Sequence, residues 1–264
     1  MHAIARFAKL VPLAAALVSS LPALADGPPE DGATWGWGLG LGVASSRNAY
    51  KGFERDNGLY PLLQYENRYV KVFGPGLDVK LPSWQINESQ KVNFSLVGQY
   101  DLGSGYEAKD SDVFVGMAER KSSFWVGGKL EWENDLVNVS AELLGDASGE
   151  SKGTRFSLGL SRTWHIGQHW MLTPRAVAKW HDSKYTDYYY GVRDSEARAG
   201  RAAYRGDSGV NAEVGLSVMY LIDRQQSLFL DVGVNSLSSS IKHSPLVDRS
   251  TENNVFFGYL YRFR

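Results

Sequence analysis

Asn253–Arg264 reads NNVFFGYLYRFR. Val255, Phe257, Tyr259, Tyr261 and Phe263 fall on every second position, with Phe256, Gly258, Leu260 and Arg262 between them. Side chains alternate across a strand, so the first set lines one unbroken apolar face. Such a strand, with aromatics at its tip, fits the closing strand of an outer-membrane β-barrel. There the outer face must be apolar and aromatic rings sit at the water boundary. A soluble sandwich also accommodates an apolar final strand, so the rest of the chain has to decide.

The same two-faced pattern recurs upstream. Trp35, Trp37, Leu39, Leu41 and Val43 share one face, opposite four glycines at 36, 38, 40 and 42. A glycine-only face suits a barrel wall whose inner side is crowded or bent. Further alternating segments run from Gly58 to Tyr65, Tyr69 to Leu81, Val92 to Tyr100, Phe124 to Trp132 and Val137 to Leu143. Two hairpins follow, Arg155–Trp180 and Val210–Val234, before the final strand. Short turns at 66–68, 133–135, 166–169 and 223–226 alternate with long ones at 45–57, 145–153, 181–207 and 237–252. Outer-membrane barrels have short periplasmic turns and long external loops. Tyr65, Trp132, Trp164, Trp170, Tyr220, Tyr261 and Phe263 gather beside the short turns, as an interfacial girdle requires.

These features specify an all-β, closed antiparallel transmembrane barrel. With both ends periplasmic the strand number is even. Eleven strands are plain, and Ser111–Glu119 is the candidate for a twelfth; ten is the alternative count. Pro61 and Pro174 fit poorly, because a closed barrel has no edge strand to host them.

Residues 1–25 carry Arg6 and Lys9, an apolar run from Leu10 to Val18 and small residues at Ala23 and Ala25. This is the pattern of a cleaved secretory signal peptide. Residues 26–34 (DGPPEDGAT) form an exposed periplasmic lead-in, and 35–264 form the barrel. Removing the leader takes two of 28 basic residues against 29 acidic ones, a net charge of −3 that gives no footprint for nucleic acid. There is no cysteine, and no apolar run long enough for a membrane helix, so only a closed barrel can enter the bilayer.

The inward positions hold charges of both signs: Glu142, Arg155, Arg175, Lys179, Glu213 and Asp231, with Lys129 and Glu131. Pairing Trp164 with Trp170 sets Arg155 opposite Lys179, so acids on neighbouring strands should intervene. Buried charges must be paired, and the lumen reads as an ion-pair network or, more sharply, as a selective pore or ligand pocket. The loop after His181 holds Tyr188, Tyr189, Tyr190, Gly191 and Arg193, a Tyr- and Arg-rich set of the kind that makes binding hot spots. It reads equally well as a segment folded into the barrel mouth. No nucleophile motif, Walker loop or dinucleotide glycine pattern is present, and no histidine stands at metal-ligand spacing with Cys or paired acids. The sequence therefore points to no enzyme, cofactor or metal.

Asp187–Val192 (DYYYGV), Glu196-Ala197, Tyr204, Ser244–Val247 (SPLV) and Tyr261–Phe263 (YRF) resemble the MltA-interacting protein (MipA/OmpV) family of outer-membrane proteins. Gly116-Met117 and Leu172–Pro174 are similar to it as well, whereas Arg205 stands where a proline often follows the tyrosine. The resemblance implies a barrel in outer-membrane lipid. It also implies a scaffold joining a murein lytic transglycosylase to a bifunctional murein synthase, with no catalytic residues to carry over. A pore or receptor for small molecules or surface ligands is the alternative.

Overall fold

A computed structural model describes residues 36–102 and 104–263. The signal peptide expected at 1–25 and the lead-in expected at 26–34 lie outside the described residues. Fourteen strand segments form one antiparallel sheet: β1 (Gly36–Arg47), β2 (Asp56–Glu66), β3 (Val70–Phe73), β4 (Gly76–Lys80), β5 (Trp84–Asn87), β6 (Gln90–Tyr100), β7 (Phe124–Glu133), β8 (Asn138–Asp146), β9 (Thr154–Ser161), β10 (Trp164–Ile166), β11 (Trp170–His181), β12 (Gly209–Leu221), β13 (Gln226–Ser236) and β14 (Thr251–Arg262). Segments β4 and β5 are one stave broken by a bulge against β6, and β9 and β10 are one stave against β11. Twelve staves result. The final strand closes the ring on the first, with Leu41 opposite Tyr259 and Val43 opposite Phe257.

The outward faces are the expected ones. Trp37, Leu39, Leu41 and Val43 are each more than half exposed, as lipid-facing side chains must be. Near the short turns Trp37 packs on Tyr65 at 4.5 Å and Trp170 on Tyr220 at 4.7 Å between ring centroids, which builds the girdle. The glycine face of β1 is crowded from within. A Cβ on Gly42 would lie 2.2 Å from Phe256 Cζ, and one on Gly40 2.0 Å from the Tyr259 carbonyl oxygen.

The twelfth stave is not Ser111–Glu119. That segment is a loop with a 3-10 turn at Asp112–Phe114, and its apolar residues Phe114 and Met117 are buried above the barrel. The extra stave comes from Tyr69–Leu81, which folds back on itself at Gly74-Pro75. Gly74 takes a left-handed φ of 53°, and the proline after it ends the ladder.

Both awkward prolines have a reason. Arg162 donates its N–H to the Pro174 carbonyl, so Pro174 turns its backbone towards the β9–β10 stave. That stave is interrupted at Arg162-Thr163, while the register on either side is unchanged. Gly74 donates to the Leu63 carbonyl, so Leu63 faces β3, and alternation turns Pro61 to the same edge. β3 ends at Phe73 and pairs with β2 only over Gln64–Glu66, so no ladder is there to lose a donor. The Trp164–Trp170 pairing is also corrected. Trp164 faces Leu172 and Ile166 faces Trp170 across a turn with Gly167 at φ 63°, which sets Arg155 opposite His181 and Lys179 opposite Ser157.

Candidate functional site

The barrel interior is charged on one side. Arg175, on β11, donates from Nε to Glu213 Oε1 at 3.0 Å and from Nη1 and Nη2 to the two Asp231 oxygens at 2.7 and 3.1 Å. Ser217 Oγ donates to Asp231 as well. The guanidinium lies against β12 because Gly215 leaves room: a Cβ there would be 2.5 Å from Arg175 Cζ. Lys179 donates to the other oxygen of Glu213, and Lys129 to Asp78 at 2.7 Å. Arg155 binds Asp101 at 2.6 Å and lies 3.9 Å over the Trp125 ring. Arg175, Lys179, Glu213 and Asp231 thus form one network; Arg155 stands in a second pair. Glu142 is the cross-strand neighbour of Lys129.

Above this network the long loops make a cap. Loop segments around Tyr50, Phe114, Tyr190 and Leu246 share one buried apolar cluster. Helix α1 (Ser183–Tyr190) begins where the Asp182 carboxylate accepts the Tyr185 N–H at 2.9 Å. Tyr50 stacks on Tyr190 at 5.3 Å and Tyr106 on Phe114 at 3.9 Å. One ion pair bolts two loops together. Arg120 donates to both oxygens of Glu196, at 2.9 to 3.2 Å, and Glu196 also accepts the N–H groups of Ala118 and Arg193. Burial pushes the Glu196 carboxyl up, but these donors outweigh it and hold the group below its usual range. The Tyr189 phenol, bonded to Ser104 and Ser123, is pushed by burial up to about 12 and stays protonated.

Between cap and network lies a polar chamber of about 200 Å³. Its roof is Tyr50, Tyr185, Tyr189 and Tyr190; its walls include Glu142, Arg155, Lys179 and His181. The ring of His181 stacks on Tyr185 at 4.4 Å, and its Nδ1 is buried with no hydrogen-bond partner among the described residues. Asn235 Oδ1 is in the same condition. Two residues of the chamber wall thus carry an unpartnered polar atom beneath an aromatic lid.

The five loop residues divide between two cavities. Tyr189 and Tyr190 are buried and face the chamber. Tyr188, Gly191 and Arg193 line a separate groove on the outer face of the cap, with Lys152, Lys184 and Arg205. Sequence reasoning missed the contributions of His181, Asn235, Lys152 and Lys184. His181, Asn235 and Lys184 stand near the ends of β11, β13 and α1, and Lys152 stands in the β8–β9 loop, where no local pattern marks them. Among the described residues no group of three His, Asp or Glu is arranged to hold a metal.

The family model for MltA-interacting protein MipA matches residues 39–263. The chain belongs to that family. It is 26% identical over 230 residues to the putative outer membrane protein YiaT of Escherichia coli K12, covering 85% of this chain and 90% of that protein. It is 26% identical to the outer membrane protein OmpV of Vibrio cholerae, with 86% of each covered. To the MltA-interacting protein of Escherichia coli K12 it is 25% identical, over 85% of this chain and 89% of that protein. With these relatives and the closed barrel, the protein is an outer-membrane protein.

Proposed function

We propose that this barrel is a capped pore or receptor for small polar molecules, which enter past the loop cap and meet the charged lumen. The observation that carries this reading is the chamber, where His181 Nδ1 and Asn235 Oδ1 are buried and unpartnered beneath four tyrosines. Buried polar atoms are normally satisfied, so an exception calls for a partner such as a water, an ion or a bound molecule. The outer groove, with Lys152, Lys184 and Arg193, supports a first contact with anionic groups.

Conductance in planar bilayers tests it. The intact barrel should conduct weakly, and deletion of the α1 loop should raise the current. Lys179→Gln in that open form should shift ion selectivity towards cations. A loop-deleted barrel that still does not conduct, although folded, removes the pore reading.

The second reading is an adaptor for murein enzymes, favoured by the name of the Escherichia coli relative, MltA-interacting protein. The short turns weigh against it, since they leave only two to four residues between staves on that face. Crosslinking in intact cells, followed by mass spectrometry, decides. Enrichment of a lytic transglycosylase and a murein synthase over a control barrel supports the adaptor; recovery of neither defeats it.

A further inference from the structure

The wall of the barrel has a notch. β2 pairs with β1 along its whole length, Asp56–Glu66, but with β3 only over its last three residues. β3 is far shorter than β2, whereas the β4–β5 stave runs nearly the whole length of β6. Gly76 faces Gln99 of β6, and Tyr100 donates to the Pro75 carbonyl at 3.2 Å. Above the Gly74-Pro75 tip, the edge of β2 at Asn57, Leu59 and Pro61 has no ladder partner among the described residues.

A free strand edge is not tolerated in hydrocarbon, because its polar groups have no partner there. Its surroundings identify what covers it. Leu59 and Leu63 project outward on this strand, 62% and 39% exposed, so the notch opens within the lipid-facing band. Behind it, on the lumen side, Tyr60, Leu62, Phe73 and Phe256 belong to one buried apolar cluster. The notch thus joins the bilayer to an apolar interior. A strand from another chain is a poor occupant, since Pro61 in mid-edge offers no donor and a proline on an edge obstructs pairing.

We propose that the notch is a lateral binding slot for a membrane amphiphile from the outer leaflet. Its hydrogen-bonding head meets the free backbone groups of Asn57 and Leu59. Its hydrocarbon tail lies over the hairpin tip against the cluster of Leu62 and Phe73. Water satisfies the first requirement but not the second, and a pure hydrocarbon the second but not the first.

The absence of cysteine makes the test direct. Leu59→Cys, Tyr60→Cys and Ser157→Cys are each labelled with benzophenone maleimide, reconstituted in phosphatidylethanolamine vesicles, illuminated and weighed by mass spectrometry. Leu59 faces lipid; Ser157 faces the lumen from β9, which is paired on both sides. Lipid adducts are expected at 59 and 60 and not at 157. An adduct at 59 with none at 60 overturns the slot, as does an adduct at 60 with the mass of a second copy. If Tyr60→Cys loses heat-modifiable gel mobility, Leu62→Cys takes its place. Lengthening the hairpin so that β3 runs beside β2 up to Asn57, combined with Pro61→Val, should reduce the lumen adduct to the Ser157 level. Persistence of that adduct in the sealed barrel overturns the proposal as well.

Discussion

Two halves of one lumen are filled by opposite means. Around β13, β14, β1, β2 and β3 the interior is aromatic: Phe229 stacks on Phe256 at 5.4 Å and reaches Phe73 at 6.4 Å, with Phe256 over Gly42 and Phe229 over Gly258. From β7 to β12, and on to Asp231 of β13 where the two halves meet, it is ionic, with Arg175 held between Glu213 and Asp231. The aromatic half depends on volume, because each ring occupies space a Cβ would otherwise take. The ionic half depends on charge balance, because every guanidinium there has left water. One wall therefore tolerates polarity changes poorly, the other size changes.

The largest effect should come from unbalancing the ionic half. Asp231 is fully buried, and Asp231→Ala leaves Arg175 and Lys179 to share the one carboxylate of Glu213, which should cost about 3–5 kcal/mol. Urea unfolding in lipid vesicles, followed by tryptophan emission, measures it. Adding Arg175→Leu should recover part of the loss; a double variant no better than the single one breaks the argument from charge. In the aromatic half, Phe256→Ala opens a cavity over Gly42 and should cost roughly 3 kcal/mol. Pairing it with Gly42→Val should restore some stability, although Gly42→Val alone is destabilising. A cost of about 1–3 kcal/mol that no neighbouring side-chain change relieves is expected for Gly40→Ala, whose Cβ meets the Tyr259 carbonyl rather than a movable ring. Comparable rescue at both glycines would show that the wall yields and that the contrast is overstated.

Much of this organisation is legible in alternation alone. Membrane staves must show lipid an apolar face, so the outward sets of β1, β12, β13 and β14 appear in the sequence as they do in the barrel. Val113–Met117 misleads because its apolar residues serve a core outside the membrane, where period two has no meaning. Tyr69–Leu81 misleads for the opposite reason: two strand segments of four and five residues are too short to show a period, although Gly74-Pro75 marks the break. The lumen charges are readable as a set, but Arg155 is displaced by two positions, since register follows the three-residue turn at Gly167. The chamber is the least legible part. Tyr50 and Tyr190 stack across 140 residues of chain, and only the closed ring brings their loops together.

The smallest effect separates cap from barrel and is a matter of pH. Glu196 titrates below its usual range in the folded cap, so its contribution is fully present above the ordinary glutamate value of about 4.3. That contribution is lost as pH falls through the depressed folded value, when the protonated carboxyl no longer balances Arg120. The two side chains are only 5% and 1% exposed, so salt should do little to mask the change. Amide exchange at Tyr189–Val192 should therefore quicken as pH falls below the ordinary glutamate range while that of β11 and β12 stays protected. Glu196→Gln keeps the shape of the side chain and removes its charge. It should bring the faster exchange to neutral pH and abolish the acid transition. If wild-type and variant caps loosen together on acidification, the Arg120–Glu196 pair is not what holds the loops, and the aromatic stack of Tyr50, Tyr106 and Phe114 must be sufficient.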